Sequence, residues 1–164
     1  MTPRDQALKA CVDTALKSGG RLLSIHEYSR ATGVSARMLI HYFTTKSQLD
    51  TAVIAAIDAS LREQAGTLAD SLGGLAAVDE LVRGFKRSES ERVRALFRAL
   101  LANAFAGDRY AILALLEERK RWKKLFRGVL KTKSDVDRTV LLLQGAALDA
   151  ILDDMSSEDG PTRR

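Results

Sequence analysis

Residues Leu23 to Leu49 read LSIHEYSRATGVSARMLIHYFTTKSQL, and this stretch decides the fold. It parses into two short helices, a tight turn and the start of a third helix. Ser24 and Glu27 form an S-x-x-E capping box, in which each residue satisfies an orphan amide of the other. Leu23 and Tyr28 stand where a hydrophobic staple clamps the entry to that helix. Ile25, Tyr28, Ser29 and Thr32 follow at helical spacing, and Gly33 ends the element where a left-handed residue costs least. Val34 and Ser35 reopen a helix whose inner or flanking face holds Leu39, Tyr42 and Phe43. Thr45 with Gln48 is a second capping pair and launches a helix through Leu49, Val53, Ala56 and Ile57. Short helix, Gly-containing turn, short helix is the helix-turn-helix pattern.

On that frame the outward residues suit a duplex. The second helix of such a unit lies in the major groove, and the first crosses the backbone. Ser35, Ala36, Arg37 and His41 would then face bases or phosphates. Lys46 sits at the amino end of the next helix, where free amides and the helix dipole already attract phosphate. Arg37 is the one side chain here able to contact guanine with two hydrogen bonds.

The run TGVSARMLIHYFTTKSQL resembles the DNA-binding signature of the TetR family of bacterial transcriptional regulators, commonly A-G-V-S-x-x-x-L-Y-x-Y/H-F-x-x-K-x-x-L. Gly33, Val34, Ser35, Leu39, Tyr42, Phe43, Lys46 and Leu49 match it, and the resemblance covers roughly Lys9 to Ala56. Two positions depart from it. Ile40 replaces the usual aromatic that touches backbone phosphate, and Arg37 stands where a small residue is common. The resemblance implies a homodimer on a palindromic double-stranded DNA operator and a C-terminal helical domain that binds a small effector. Its DNA-contacting set becomes Ser24, Ser35, Ala36, Arg37, His41, Tyr42 and Lys46.

The rest of the chain is consistent with an all-α protein. At 164 residues, with 46% hydrophobic and 29% charged content, it has the composition of an ordinary soluble globular protein. Two prolines and few aromatics favour helices over strands. There is no run of about 18 uncharged apolar residues and no apolar h-region behind MTPRDQALKA, so a cytoplasmic protein without a membrane span or secretory signal is expected. Cys11 stands alone beside Ala7, Leu8 and Ala15 on the first helix, as a buried structural thiol would. The net charge of +5 permits nucleic-acid binding without locating it: residues 1–64 carry +2 and residues 65–164 carry +3. The case for DNA rests on the pattern.

A first helix is expected over Asp5 to Lys17, stopped by Ser18-Gly19-Gly20, and Arg21 after it is either a phosphate ligand or a solvated loop residue. The helix from Lys46 continues to about Leu72 despite Gly66 and links the reading head to the remainder. Further helices are expected over Leu75 to Phe85, after the turn and acidic start at Ser88 to Glu91, through a stripe from Ile112 to Leu130, and from Ser134 to Asp154. The division is therefore a three-helix DNA-binding domain at 1–46, a helical effector-binding and dimerisation domain at 47–155, and a disordered tail at 156–164.

Three further groups of residues define the expected sites. Phe85, Phe97, Phe105, Tyr110, Trp122 and Phe126 either line an effector cavity between helices or simply fill the core. The shortage of polar residues on these stripes points to a mostly apolar effector. The last helix, with Val140, Leu141, Gln144, Ala147, Leu148 and Ile151, has a wide apolar side and little bulk at Gly145 and Ala146, which suits a dimer seam. The basic run Arg119 to Arg127 has its own inward partners in Trp122, Leu125 and Phe126, and reads as a solvated helix face. No metal-ligand spacing, cofactor motif or catalytic motif is present, so no enzyme is expected. The rival to a regulator is a helical interaction protein that keeps the frame but, as Ile40 would permit, has lost operator binding.

Overall fold

The computed structural model describes residues 1–87 and 90–158, and among them every regular element is an α-helix. The eight helices are α1 (Pro3–Lys17), α2 (Ile25–Thr32), α3 (Ala36–Phe43), α4 (Lys46–Leu72), α5 (Gly74–Lys86), α6 (Glu91–Phe105), α7 (Arg109–Arg127) and α8 (Lys133–Glu158). Helix α1 starts two residues earlier than its apolar stripe suggests. Thr2 and Asp5 form a capping box, and Pro3 occupies the first turn, where its missing N–H costs nothing. Helix α8 runs to Glu158, past the expected boundary at residue 155. Ser88 and Glu89 of the expected acidic turn, and residues 159–164 of the expected tail, lie outside the described residues.

Two cores hold these helices together. The first is built on Cys11, Ala15, Leu23, Tyr28, Leu39, Phe43, Leu49, Val53, Ile54 and Ile57 of α1–α4 and the turn before α2, and it takes in Leu96 and Leu100 of α6 and Ala111 of α7. The expected boundary at residue 46 therefore falls between α3 and α4, while one continuous core crosses it. Contact there is close: a Cβ built on Gly20 would lie 2.1 Å from the Arg92 carbonyl oxygen, so the α1–α2 turn presses backbone against α6. The second core joins α5, α7 and α8 through Val78, Phe126, Val136 and Val140, flanked by Trp122 and Leu143.

Helix α4 runs without interruption from the first core along α7, the helix that it shares with the second. Gly66 does not break it, and a Cβ there would meet Leu125 Cδ1 at an ordinary 3.7 Å. Two of its aspartates, Asp50 and Asp58, are buried, and each has a cation one turn away, Lys46 and Arg62 respectively.

Arg94 of α6 is also buried and fully used. It grips both carboxylate oxygens of Asp154 on α8 at 2.7 and 2.9 Å and donates to the carbonyls of Phe85 and Arg87. That fork ties the α5–α6 turn to the far end of α8 and holds the Asp154 carboxyl below its usual range.

Candidate functional site

The reading head is built by its caps. Ser24 Oγ accepts from the Glu27 amide at 3.2 Å, and the Glu27 carboxylate accepts from the Ser24 amide at 2.8 Å. Those hydrogen bonds, with Arg21 at 3.5 Å, hold the Glu27 carboxyl below its usual range. Arg21 is thus a mostly exposed partner of Glu27. Gly33 closes α2 in the left-handed region with φ 73°, and Ser35 opens α3 by accepting from the Met38 amide at 3.2 Å. A serine that caps by accepting keeps its own hydroxyl proton to donate, so Ser24 and Ser35 both retain a donor at the protein surface.

Helix α3 buries Leu39 and Phe43 and exposes Arg37, Met38, Ile40 and His41, with Ala36 and Tyr42 half-buried. Ile40, which replaces an aromatic in the resembling pattern, is 42% exposed and points outward. Arg37 and His41 are four residues apart and share one exposed stripe.

One residue that the sequence left unremarked sets the pose of this helix. Arg4 Nε donates to the Tyr42 carbonyl at 3.3 Å, and its guanidinium lies 4.9 Å from the centre of the Phe43 ring. The start of α1 is thereby pinned to the end of α3.

The joint that follows is unusual. Thr44 adopts φ 64° and ψ −50°, and the Thr45 amide reaches back to the Phe43 carbonyl at 2.7 Å, a three-residue γ-turn. Thr45 then caps α4 by accepting from the Gln48 amide at 3.1 Å. Lys46 departs from the free point charge expected of it, because its ammonium pairs with the buried carboxylate of Asp50. Burial pushes the Asp50 carboxyl up, and Lys46 pulls it back. Lys46 is half-buried and holds a structural partner, Asp50, at the amino end of α4.

No family model and no curated protein matches the chain. Among solved structures, the crystal structure of a protein assigned to the TetR family of transcriptional regulators, from Mesorhizobium loti MAFF303099, is similar over 100% of this chain and 89% of its own. The TM-score is 0.64 at 17% sequence identity. The chain has the TetR-regulator fold. In that fold the helix-turn-helix of α2 and α3, backed by α1, precedes the long α4 and four further helices.

Within the C-terminal part of the TetR fold, the expected ring cluster does not form. Phe85 and Phe97 meet edge to face at 6.4 Å, and Trp122 and Phe126 stack at 5.9 Å. Phe126 is core, Tyr110 is 41% exposed and Phe105 is 88% exposed at the end of α6. Trp122 Nε1 donates to Asp58 on α4 at 2.8 Å. The apolar run Ile112, Leu113, Leu116 likewise faces outward, and Ala111, Leu115, Glu118, Trp122 and Phe126 form the inner side of α7 instead.

The expected α8 seam divides in the same way. Val140 and Ile151 turn into the protein's own interior and Ala147 is half-buried, so these three are not available to a partner in the way expected. Leu141, Gln144 and Leu148 are exposed, and Leu152 and Met155 continue their stripe.

Proposed function

We propose that this chain is a DNA-binding transcriptional regulator, a repressor that binds a palindromic operator as a homodimer and is released by a small effector with a mostly apolar body. One observation carries the DNA-binding part. The capped helix α3 presents Arg37 and His41 outward on one stripe with Ser35 at its start, while Leu39 and Phe43 anchor its other side. A helix so placed has base-reading side chains free and phosphate donors, Ser24 and Ser35, beside it. Tyr42 and Lys46 flank the same end of α3, and Ala36 is small enough to let the helix approach a groove.

The homodimer is supported by an apolar face that none of the described residues covers. Leu141, Leu148 and Met155 recur every seven residues on α8, and Gln144 and Leu152 fill the same stripe. Asp137 at the head of that stripe pairs with Lys123 of α7 at 2.6 Å, seven residues beyond the exposed Leu116. The α8 stripe therefore borders the exposed Ile112 and Leu116 of α7, and together they make a two-helix apolar surface of the kind that marks interaction sites.

A gel shift with genomic fragments at low and moderate salt tests the reading. A sequence-selective complex that weakens with salt is expected. No selective shift at any salt would place the chain with helical interaction proteins that keep the frame without an operator.

A further inference from the structure

The interior of the α4–α7 contact holds an acid without a partner. Glu118 is 8% exposed, and among the described residues its Oε1 has no hydrogen-bond donor. The cations nearest to it do not supply one. Arg62 is committed to Asp58 Oδ2 at 2.8 Å, and Trp122 Nε1 takes Asp58 Oδ1, so this aspartate is satisfied while its charge repels Glu118. Arg121, three residues on along α7, is exposed and attracts Glu118 as a charge without a hydrogen bond to it. Burial first, and the Asp58 charge second, push the Glu118 carboxyl up to about 8. A buried acceptor left without a donor is a standing cost, and a native structure keeps such a group where something else completes it.

Glu118 also lines a groove of about 220 Å³ between α4 and α7. Thr51 and Ala55 form one wall, and Tyr110, Leu113 and Ala114 the other. The two alanines leave room, Leu113 is apolar, and the half-exposed Tyr110 presents an aromatic ring that attracts cations. Glu117 and Arg121 stand on the same stretch of α7. An apolar slot with a carboxyl in its wall is complementary to a small amphiphile with a hydrogen-bonding positive head, against which Glu118 ionises and gives up its proton to solvent.

We infer that the α4–α7 groove binds a small organic ammonium ion, its head donating to Glu118 and its apolar body lying between Ala55, Leu113 and Ala114, and that this ligand is the effector. This rests on the regulator reading above for its consequence, though not for the binding itself. The route to the head is short. Asp108, the N-cap of α7, accepts from the Ser47 hydroxyl as well as from the Tyr110 and Ala111 amides. Thr51 is one turn beyond Ser47, and Tyr110 is two residues beyond Asp108. A body wedged between Thr51 and Tyr110 therefore loads the joint that fixes the start of α4, immediately after the recognition helix.

Trp122, the chain's single tryptophan, lies one turn from Glu118 and reports on the groove without DNA. Titration of the full chain with benzylammonium should give a saturable change in Trp122 fluorescence, whereas benzyl alcohol and benzoate should bind far more weakly. Glu118→Gln, nearly isosteric, should weaken benzylammonium by about thirtyfold or more while the helical circular-dichroism spectrum is kept. Ala55→Leu, which fills the groove and leaves Glu118 intact, should abolish the response. Equal binding of the alcohol and the ammonium, full affinity in Glu118→Gln, or no saturable signal would overturn the site. In a parallel gel shift benzylammonium should release DNA. Saturable fluorescence with an unchanged shift on DNA that the protein does bind would keep the site and overturn its role as effector site. The absence of any selective shift would instead count against the regulator reading alone.

Discussion

Arg37 and Lys46 are both cations at the proposed DNA face, yet they are expected to fail differently. Arg37 is exposed on the outer stripe of α3, and Arg37→Ala should lose discrimination among sequences, by about 1–3 kcal/mol for a two-bond contact to guanine. Lys46→Ala should weaken binding to all sequences and lower the salt slope by about one unit. It should also destabilise the fold, because it leaves the buried Asp50 carboxyl without its cation. Affinities for specific and random DNA at several salt concentrations, with a melting curve for each variant, separate these roles. Identical losses on both DNAs for both variants would refute the assignment.

Glu118 gives a residue-scale prediction of another kind. Its carboxyl titrates near 4.5 when exposed and is pushed up to about 8 in the fold, so the folded chain binds the proton more tightly. Its contribution to stability is therefore fully present below 4.5 and is lost as the pH rises through about 8. Glu118→Gln cannot ionise and should gain on the parent protein steadily from about pH 5 to about pH 9. Melting temperatures of the two proteins compared pH by pH check this, and a constant difference would mean that Glu118 is not held neutral.

At the scale of elements, the α3–α4 joint is the place of strain. Thr44 is β-branched and sits at φ 64°, a conformation that costs about 1–3 kcal/mol for such a residue. Thr44→Gly removes that cost and adds back about 0.5–1 kcal/mol of unfolded-chain entropy. The net expectation is stabilisation of about 1 kcal/mol, visible as a higher melting temperature. A lower one would show that the Thr44 side chain does something at the joint beyond tolerating it.

Elements whose signals are local were legible in the sequence, and the others were not. The caps at Ser24 and Thr45 are three-residue affairs, and each hydroxyl accepts from the amide three residues on, as the spacing predicts. The stripe of α7 misled because its apolar residues cover two sides of one helix. Periodicity cannot say whether Ile112 and Leu116 or Ala111 and Leu115 meet the core. Helical spacing places Phe105 with the other rings between the helices or in the core, yet it falls on the last residue of α6 and stands out in solvent. The burial of Arg94 and Glu118 is not legible in the sequence, because the groups that meet them lie far away in the chain. Asp154 lies 60 residues from Arg94, and Asp58 is as far from Glu118 in the chain.

For the whole molecule the decisive quantity is the apolar face shared by α7 and α8. A monomer that leaves Leu116, Leu141, Leu148 and Leu152 half-exposed or more on adjoining helices carries a patch that water penalises, and a second copy related by a two-fold axis would cover it. The same axis would set two α3 helices about one turn of DNA apart, as a palindromic operator requires. Leu148→Arg tests the seam cleanly. At 49% exposure the new guanidinium can reach water in the single chain, so the protomer should stay folded, with a helical spectrum and a melting transition close to that of the dissociated parent. In a dimer the same charge would be buried without a partner, which is costly enough to hold the chains apart. Ile151→Arg, four per cent exposed inside the protomer, should instead unfold it, and so calibrates what loss of the core looks like. Light scattering should therefore find Leu148→Arg monomeric at concentrations where the parent is a dimer. Its affinity for a full palindrome should fall to that for an isolated half-site. A Leu148→Arg protein that remains dimeric and binds the palindrome as the parent does would place the seam on another face of the molecule.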